Sequence, residues 1–227
     1  KRIKGNKVTI RRLERHIDLT ISGDRAIFSN YNDWKYLQEM KGHPGTFRDL
    51  WNITKDKQRK AWEFVGIKKT DIILDVGFRD GFNLKELEKK CSSVIGIDIN
   101  KHSIDHAKGL GCQVFQEDIQ QGTHFENNSF DVIIMCDILE HCFSPENALK
   151  ECNRLLKHRA RMIIEVPFEN TFNRNLLHGH ASLFENEMIF EELLINYDYK
   201  ILKKDHSKKA RNWYVVTPNK KNYITEL

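Results

Sequence analysis

The stretch Ile72-Ile73-Leu74-Asp75-Val76-Gly77-Phe78-Arg79-Asp80-Gly81 decides the fold. Residues 72–76 form an apolar run of strand length, and Gly77 ends it. Residues 82–90 then read as a helix. A glycine at such a turn lets the backbone bend tightly and come close to a ligand, and the helix behind it offers unpaired N–H groups at its start. Taken alone, Gly77-x-x-x-Gly81 also fits an ordinary strand-to-helix turn.

The same alternation continues downstream. Residues 94–97 read as a strand, 101–109 as a helix and 112–115 as a third strand, and 131–136 is apolar enough for burial on both faces. Pro145 opens a helix over 146–157, with Ala148, Leu149, Cys152, Leu155 and Leu156 inward. A fifth strand over 162–166 stops at Pro167, and 185–196 is helical. Residues 199–203 and 213–217 fit a closing antiparallel pair. Strands alternating with helices of this length predict an α/β fold with a parallel sheet covered on both faces. Upstream, 33–40 and 46–65 fit amphipathic helices around a turn at 41–45, while 1–30 is polar and resists assignment. The expected division is an N-terminal extension over 1–65 and the α/β domain over 66–227.

Composition narrows the class. Of 227 residues, 40% are hydrophobic, 30% are charged and 4 are prolines, which excludes a disordered or collagen-like chain. No apolar run approaches the roughly 20 residues that span a bilayer, and the basic first residues lack the apolar run of a signal peptide. The 5 cysteines form no CxxC pair and leave an odd one, so a reducing, cytoplasmic setting is expected. Cys136 and Cys142 are wrongly spaced for structural zinc. The net charge of +5 is uneven: residues 1–16 and 200–221 are strongly basic, which leaves the middle acidic. Two basic ends could grip a polyanion such as RNA if they converge, or be solvated ends.

Ligands of open parallel sheets bind beyond the carboxyl ends of the strands. Acids stand at that place after successive strands. Asp98, in Gly96-Ile97-Asp98-Ile99, can accept both hydroxyls of a ribose. Asp118, in Gln116-Glu117-Asp118-Ile119, can accept from the exocyclic amine of an adenine. Each alone would also fit a solvated loop residue or helix cap. Asp75, Asp98 and Asp118 in register are harder to explain that way.

With these residues the chain resembles the class I S-adenosylmethionine-dependent methyltransferases. The likeness covers roughly residues 60–217 and is strongest over 70–168. Phe130-Asp131-Val132-Ile133-Ile134, Ile138-Leu139-Glu140-His141 and the apolar segments up to Pro167 look like the small-molecule branch called type 11. The resemblance implies a Rossmann-like, seven-stranded, mostly parallel sheet with an antiparallel last strand, and a helical lid before residue 65. It implies S-adenosylmethionine as cofactor and S-adenosylhomocysteine as product. Gly77 and Gly81 would border the methionine part, Asp98 the ribose and Asp118 the adenine, with Ile99 and Ile119 beside the base. Asp75, Phe78, Arg79 and Asp137 complete the expected cofactor-binding set. A dehydrogenase would use an acid like Asp98 for NAD, but gives no reason for Asp118 or for Glu140-His141.

Two positions depart from the family. Arg79 stands where a glycine is usual; if the backbone there needs φ > 0, an arginine costs of order 1 kcal/mol or blocks the site. Otherwise it points outward or pairs with the cofactor's carboxylate. His158-Arg159-Ala160-Arg161 replaces a glycine turn and reads as a local loop change.

Methyl transfer needs an in-line nucleophile, and a hydroxyl acceptor must lose its proton. His141 is the candidate catalytic base, since imidazole titrates near neutral pH; it could also merely order the approach to the next helix. Asp137-x-x-Glu140-His141, followed by His178 and His180, resembles clusters that hold a divalent metal in small-RNA 2′-O-methyltransferases, with a comparable cluster in ubiquinone-pathway O-methyltransferases. The motif also occurs in metal-free relatives, so the reading without a metal is preferred. Tyr31, Trp34, Phe47 and Trp51, with Phe172, Phe184 and Phe190 opposite, could line an acceptor pocket or be core. The expected reaction is O- or N-methylation of a small-molecule acceptor. The alternatives are a metal-assisted RNA 2′-O-methyltransferase and an inactive cofactor- or partner-binding protein, the latter suggested by Arg79.

Overall fold

Strand β7 (Phe130–Cys136) shows why the centre of the sheet forms. Val132, Ile133, Ile134 and Met135 are all buried, and they alternate sides: Val132 and Ile134 join one core, Ile133 and Met135 the other. Strand neighbours on both edges and helices on both faces leave no side for polar residues. The computed structural model describes residues 6–12, 15–22, 25–28, 30–39, 47–169, 180–208 and 211–220.

The main sheet contains β4 (Ile72–Val76), β5 (Ser93–Asp98), β6 (Val114–Gln116), β7, β8 (Leu156–Val166), β9 (Tyr199–Lys208) and β10 (Arg211–Pro218). Its order is β6-β5-β4-β7-β8-β10-β9, seven strands in all. The pairs from β6 to β8 are parallel; β10 is antiparallel to both β8 and β9. This is the Rossmann-like sheet expected from the sequence, with strand order reversing beside β4.

Helices α3 (Phe82–Leu87), α4 (Lys101–Gly109), α5 (Pro145–Leu155) and α6 (Glu187–Asn196) start at local signals. The side chains of Asn100, Ser144 and Asn186 accept from backbone N–H groups in the first turns of α4, α5 and α6, and Pro145 follows its cap. α3 instead starts at Gly81 in a left-handed conformation. One core gathers Phe78, Leu84, Leu87, Ile104 and Trp62; the other gathers Leu74, Leu149, Phe184, Phe190 and Tyr214.

Two features differ from the sequence reading. Residues 158–161 fall within β8, but the strand bulges there: Phe130 pairs with Leu156 and Val132 with Arg161, so four residues face one of β7, with Arg159 at φ 63°. Arg161 explains the extension, since its guanidinium binds Asp71 at 2.7 Å and the carbonyls of Val65 and Gly66 at 3.2 and 3.1 Å. A guanidinium paired this way ties the end of a helix to the sheet.

The second difference is N-terminal. Strands β1 (Asn6–Arg12), β2 (Arg15–Ser22) and β3 (Arg25–Phe28) form an antiparallel three-stranded sheet ahead of α1 (Tyr31–Glu39) and α2 (Phe47–Val65). The extension is therefore part sheet and part helix. It packs on the domain through Leu19, Ala26, Phe28 and Trp34 against Ala181 and Leu183, and the Ala26 N–H donates to the Ala181 carbonyl at 2.9 Å.

Gly96 on β5 supports the glycine loop from beneath. A Cβ there would lie 2.5 Å from Phe78 Cδ1 and 2.8 Å from Leu84 Cδ1. Gly96→Ala is expected to cost about 1–3 kcal/mol of stability through overpacking. Thermal denaturation checks this, and an unchanged melting temperature would contradict the packing.

Candidate active site

The residues expected at the site do converge along the carboxyl edge of the sheet. Gly77 follows β4 with φ 70°, and its N–H donates to the Ile97 carbonyl at 2.8 Å. A Cβ on Gly77 would lie 2.1 Å from Ile138 Cδ1, so the loop after β4 and the loop after β7 touch. Gly81 has φ 79°, and its Cβ would meet that of Ala107 at 2.7 Å. Both glycines are therefore required by backbone conformation and by close approach.

Arg79 adopts the left-handed backbone too, with φ 66°. Its side chain is exposed, and its charge acts on the Asp80 carboxylate. Its N–H points at Asp98 Oδ2, 3.4 Å away, while Asn100 N–H donates to Asp98 Oδ1 at 2.8 Å. The arginine thus keeps the backbone course a glycine would give and leaves the loop open. Phe78 and Ile119 are buried in the cores, while Ile99 is half-buried beside the N-terminal apolar cluster.

The acids differ in environment. Asp75 is buried and accepts from the Asn83 amide; burial, then the nearby Asp80 and Asp98 charges, raises its pKa well above the usual carboxylate range. Asp80 is raised by burial as well, against the opposing Phe82 N–H, Arg79 and His106. Asp118 accepts from the Gln120 N–H at 2.9 Å, the Gln120 amide at 3.0 Å and the Tyr31 hydroxyl. Burial, followed by the bond to Asp118, pushes the Tyr31 hydroxyl far up, so it remains a donor.

The N-terminal helices reach this edge. Beside the Tyr31 bond, Trp34 Nε1 donates to the His141 carbonyl at 2.8 Å. Tyr31, Trp34 and Phe143 form an aromatic cluster with centroids 5.2–6.3 Å apart. Phe184 and Phe190 instead pack on each other within the core, and Phe172 lies outside the described residues, as do the side chains of Phe47 and Trp51.

His141 lies on the helical turn Leu139–His141 after β7, its ring 4.7 Å from that of His180. A carboxylate oxygen of Glu140 and one ring nitrogen each of His141 and His180 lie within 4.8 Å of one another. Glu169 Oε2 holds His180 Nδ1 at 2.8 Å, which turns the other ring nitrogen toward the cluster. Asp137, placed in this group by the motif, points elsewhere: Lys57 Nζ lies 2.6 Å from its Oδ2. His178 falls outside the described residues.

Sequence reasoning missed Lys57 and Glu165. Glu165 is fully buried on β8, 2.8 Å from Lys57 Nζ and 3.4 Å from an Arg211 Nη. Burial opposes the Lys57 charge, but the Asp137 and Glu165 carboxylates outweigh it and raise the pKa. The signal available was an acid inside the apolar run 162–166; its partner 108 residues earlier had none.

The family profile of a methyltransferase domain, type 11, matches residues 74–164. These residues are a class I methyltransferase domain. The domain is 31% identical over 127 residues to the ubiquinone biosynthesis O-methyltransferase of Coxiella burnetii (strain Dugway 5J108-111), covering 53% of this chain and 52% of the relative. To the same enzyme of Pectobacterium carotovorum subsp. carotovorum it is 22% identical over 161 residues, covering 68% and 65%. The N-methyltransferase NodS of Bradyrhizobium japonicum WM9, solved with S-adenosyl-L-homocysteine, superposes with a TM-score of 0.62 at 13% identity, covering 82% of this chain and 98% of NodS. The chain spans between 45% and 65% of the length of the first curated relatives. All five cysteines are free, and no helix among the described residues is long and apolar enough to cross a membrane.

The open loop predicts the outcome of Arg79→Gly. Relieving a left-handed arginine should raise stability by up to about 1 kcal/mol, with affinity for S-adenosylhomocysteine within about threefold of the parent. Calorimetric titration and a thermal melt check both; a loss beyond about tenfold would make Arg79 a cofactor ligand.

Proposed function

We propose that the protein transfers the methyl group of S-adenosylmethionine to an oxygen or nitrogen of a small-molecule acceptor. The observation that carries this reading is the row of Asp75, Asp98 and Asp118 at the ends of adjacent strands, around the loop from Gly77 to Gly81. The donor chemistry fits the cofactor end to end. Asp98 accepts from ribose hydroxyls, Asp118 accepts from the adenine amine beside Tyr31, and Gly77 admits a close backbone approach. When bound, S-adenosylmethionine supplies an activated methyl group that needs little further help from the protein.

The protein's remaining work is positional. Trp34 and the aromatic cluster shield the acceptor end from water, which holds the acceptor in line. His141 takes the proton from a hydroxyl acceptor; an amine acceptor needs little such help. The small-molecule reading is supported by the likeness to ubiquinone biosynthesis O-methyltransferases. RNA finds less support: Lys204 is engaged by Glu187 and Glu191, and Lys203 lies over the Phe64 ring.

Asp98→Ala tests the cofactor assignment. Hydrogen bonds to a charged group contribute about 1.5–3 kcal/mol, so affinity for S-adenosylhomocysteine should fall about 10–100-fold with the melting temperature nearly unchanged. Unaltered affinity would refute the ribose role.

A second reading has one observation in its favour, the convergence of Glu140, His141 and His180. A carboxylate and two imidazoles suit a divalent cation, which could bind an acceptor oxygen and lower its pKa. In this reading His141 is a ligand and not the base. Chelation separates the two: full turnover after removal of divalent ions leaves His141 as the base, whereas loss of turnover with recovery on adding Mg²⁺ or Mn²⁺ assigns the metal.

A further inference from the structure

Lys57, Arg211, Asp137 and Glu165 bring two cations and two carboxylates to one spot at the carboxyl ends of β7 and β8. Lys57 Nζ lies 2.6 Å from Asp137 Oδ2 and 2.8 Å from Glu165 Oε1. An Arg211 Nη lies 3.4 Å from Glu165 and 4.0 Å from Asp137. The Asp137 N–H donates to the Glu165 carbonyl at 3.0 Å, fixing the turn in which Asp137 has φ 55°.

The cluster is graded from inside to outside. The Glu165 side chain is 0% exposed and Lys57 16%, whereas Asp137 and Arg211 are 41% and 46% exposed. A carboxylate as deep as Glu165 needs a cation beside it, and breaking such a pair leaves an uncompensated charge. Lys57 meets that need and still reaches Asp137 on the open side. The next residue, Ile138, lies against Gly77, so this open side adjoins the glycine loop.

We infer that Lys57 is a positioning residue for the zwitterionic, amino-acid end of the cofactor, a deduction that rests on the cofactor reading proposed above. It holds Asp137 at the rim, where the carboxylate can accept from an ammonium. Arg211, the more exposed of the two cations, stands on the open side, where it can receive a carboxylate. A ligand with both groups on one carbon matches this alternation of charge, and a ligand that lacks them gains nothing from it.

The test compares two nucleosides that share adenine, ribose and thioether sulfur. S-adenosylhomocysteine carries the amino-acid end; 5′-methylthioadenosine does not. Calorimetric titration of Lys57→Met should show at least a tenfold loss of affinity for the first and less than a twofold change for the second. Lys57→Arg should recover most of the loss. Equal losses for both ligands would overturn the inference, because Lys57 would then only hold α2 in place, and so would unchanged affinity for S-adenosylhomocysteine. Parent protein that binds neither nucleoside would overturn the cofactor reading itself. Should Lys57→Met fail to fold, the double variant Lys57→Met/Glu165→Gln removes opposite charges together, and the same contrast between ligands is expected.

Discussion

Residue 77 holds φ 70° against the Ile138 side chain, and the meeting of the loops after β4 and β7 rests on a glycine there. Strands β4 and β7 are parallel neighbours, so the loops that follow them leave the sheet side by side. With glycine at 77 the Ile138 side chain settles over the first loop and brings the residues after β7 against it. Asp137, Glu140 and His141 thereby share an edge with Asp75 and Asp98, although more than 35 residues separate the two groups. A larger residue at 77 would strain the left-handed backbone and oblige the Ile138 side chain to move.

Charge is distributed along that edge with a gradient. Asp75, Asp80 and Asp98 crowd the glycine loop closely enough to raise the Asp75 carboxyl by repulsion as well as by burial. Such an edge favours a ligand with positive charge, because a cation relieves the repulsion the fold has built in. At its far end the sign is balanced by Lys57 and Arg211. The edge therefore changes character along its length, from crowded acids to a patch of mixed charge.

The sheet was legible in the sequence wherever burial on two faces forced an uninterrupted apolar run, as at Ile72 to Val76 and at Val132 to Met135. The acids at the strand ends were legible because their spacing repeats the fold's own period. The N-terminal sheet was not read, although β1 and β2 alternate apolar with polar residues as half-buried strands do, because no Gly-Asn or Pro-Gly turn marks the link between Arg12 and Arg15. Lys57 was invisible for another reason. One lysine among several on an amphipathic helix carries no mark of the partner it meets 80 residues later. Residues 158–161 read as a local loop change, and they form a bulge within β8 whose last residue, Arg161, is fixed by Asp71.

The N-terminal elements join the two halves of the chemistry. Tyr31 bonds the acid expected to hold adenine, and three residues later on the same helix Trp34 bonds the carbonyl of His141. A carboxylate has room for about four donors, so Tyr31 and an adenine amine can share Asp118. A shift of α1 by one hydrogen-bond length would thus be felt at Asp118 and at His141 together. The three-stranded N-terminal sheet is seated on Ala181 and Leu183, one and three residues beyond His180. The segment that anchors the N-terminal sheet is therefore also the segment that carries His180.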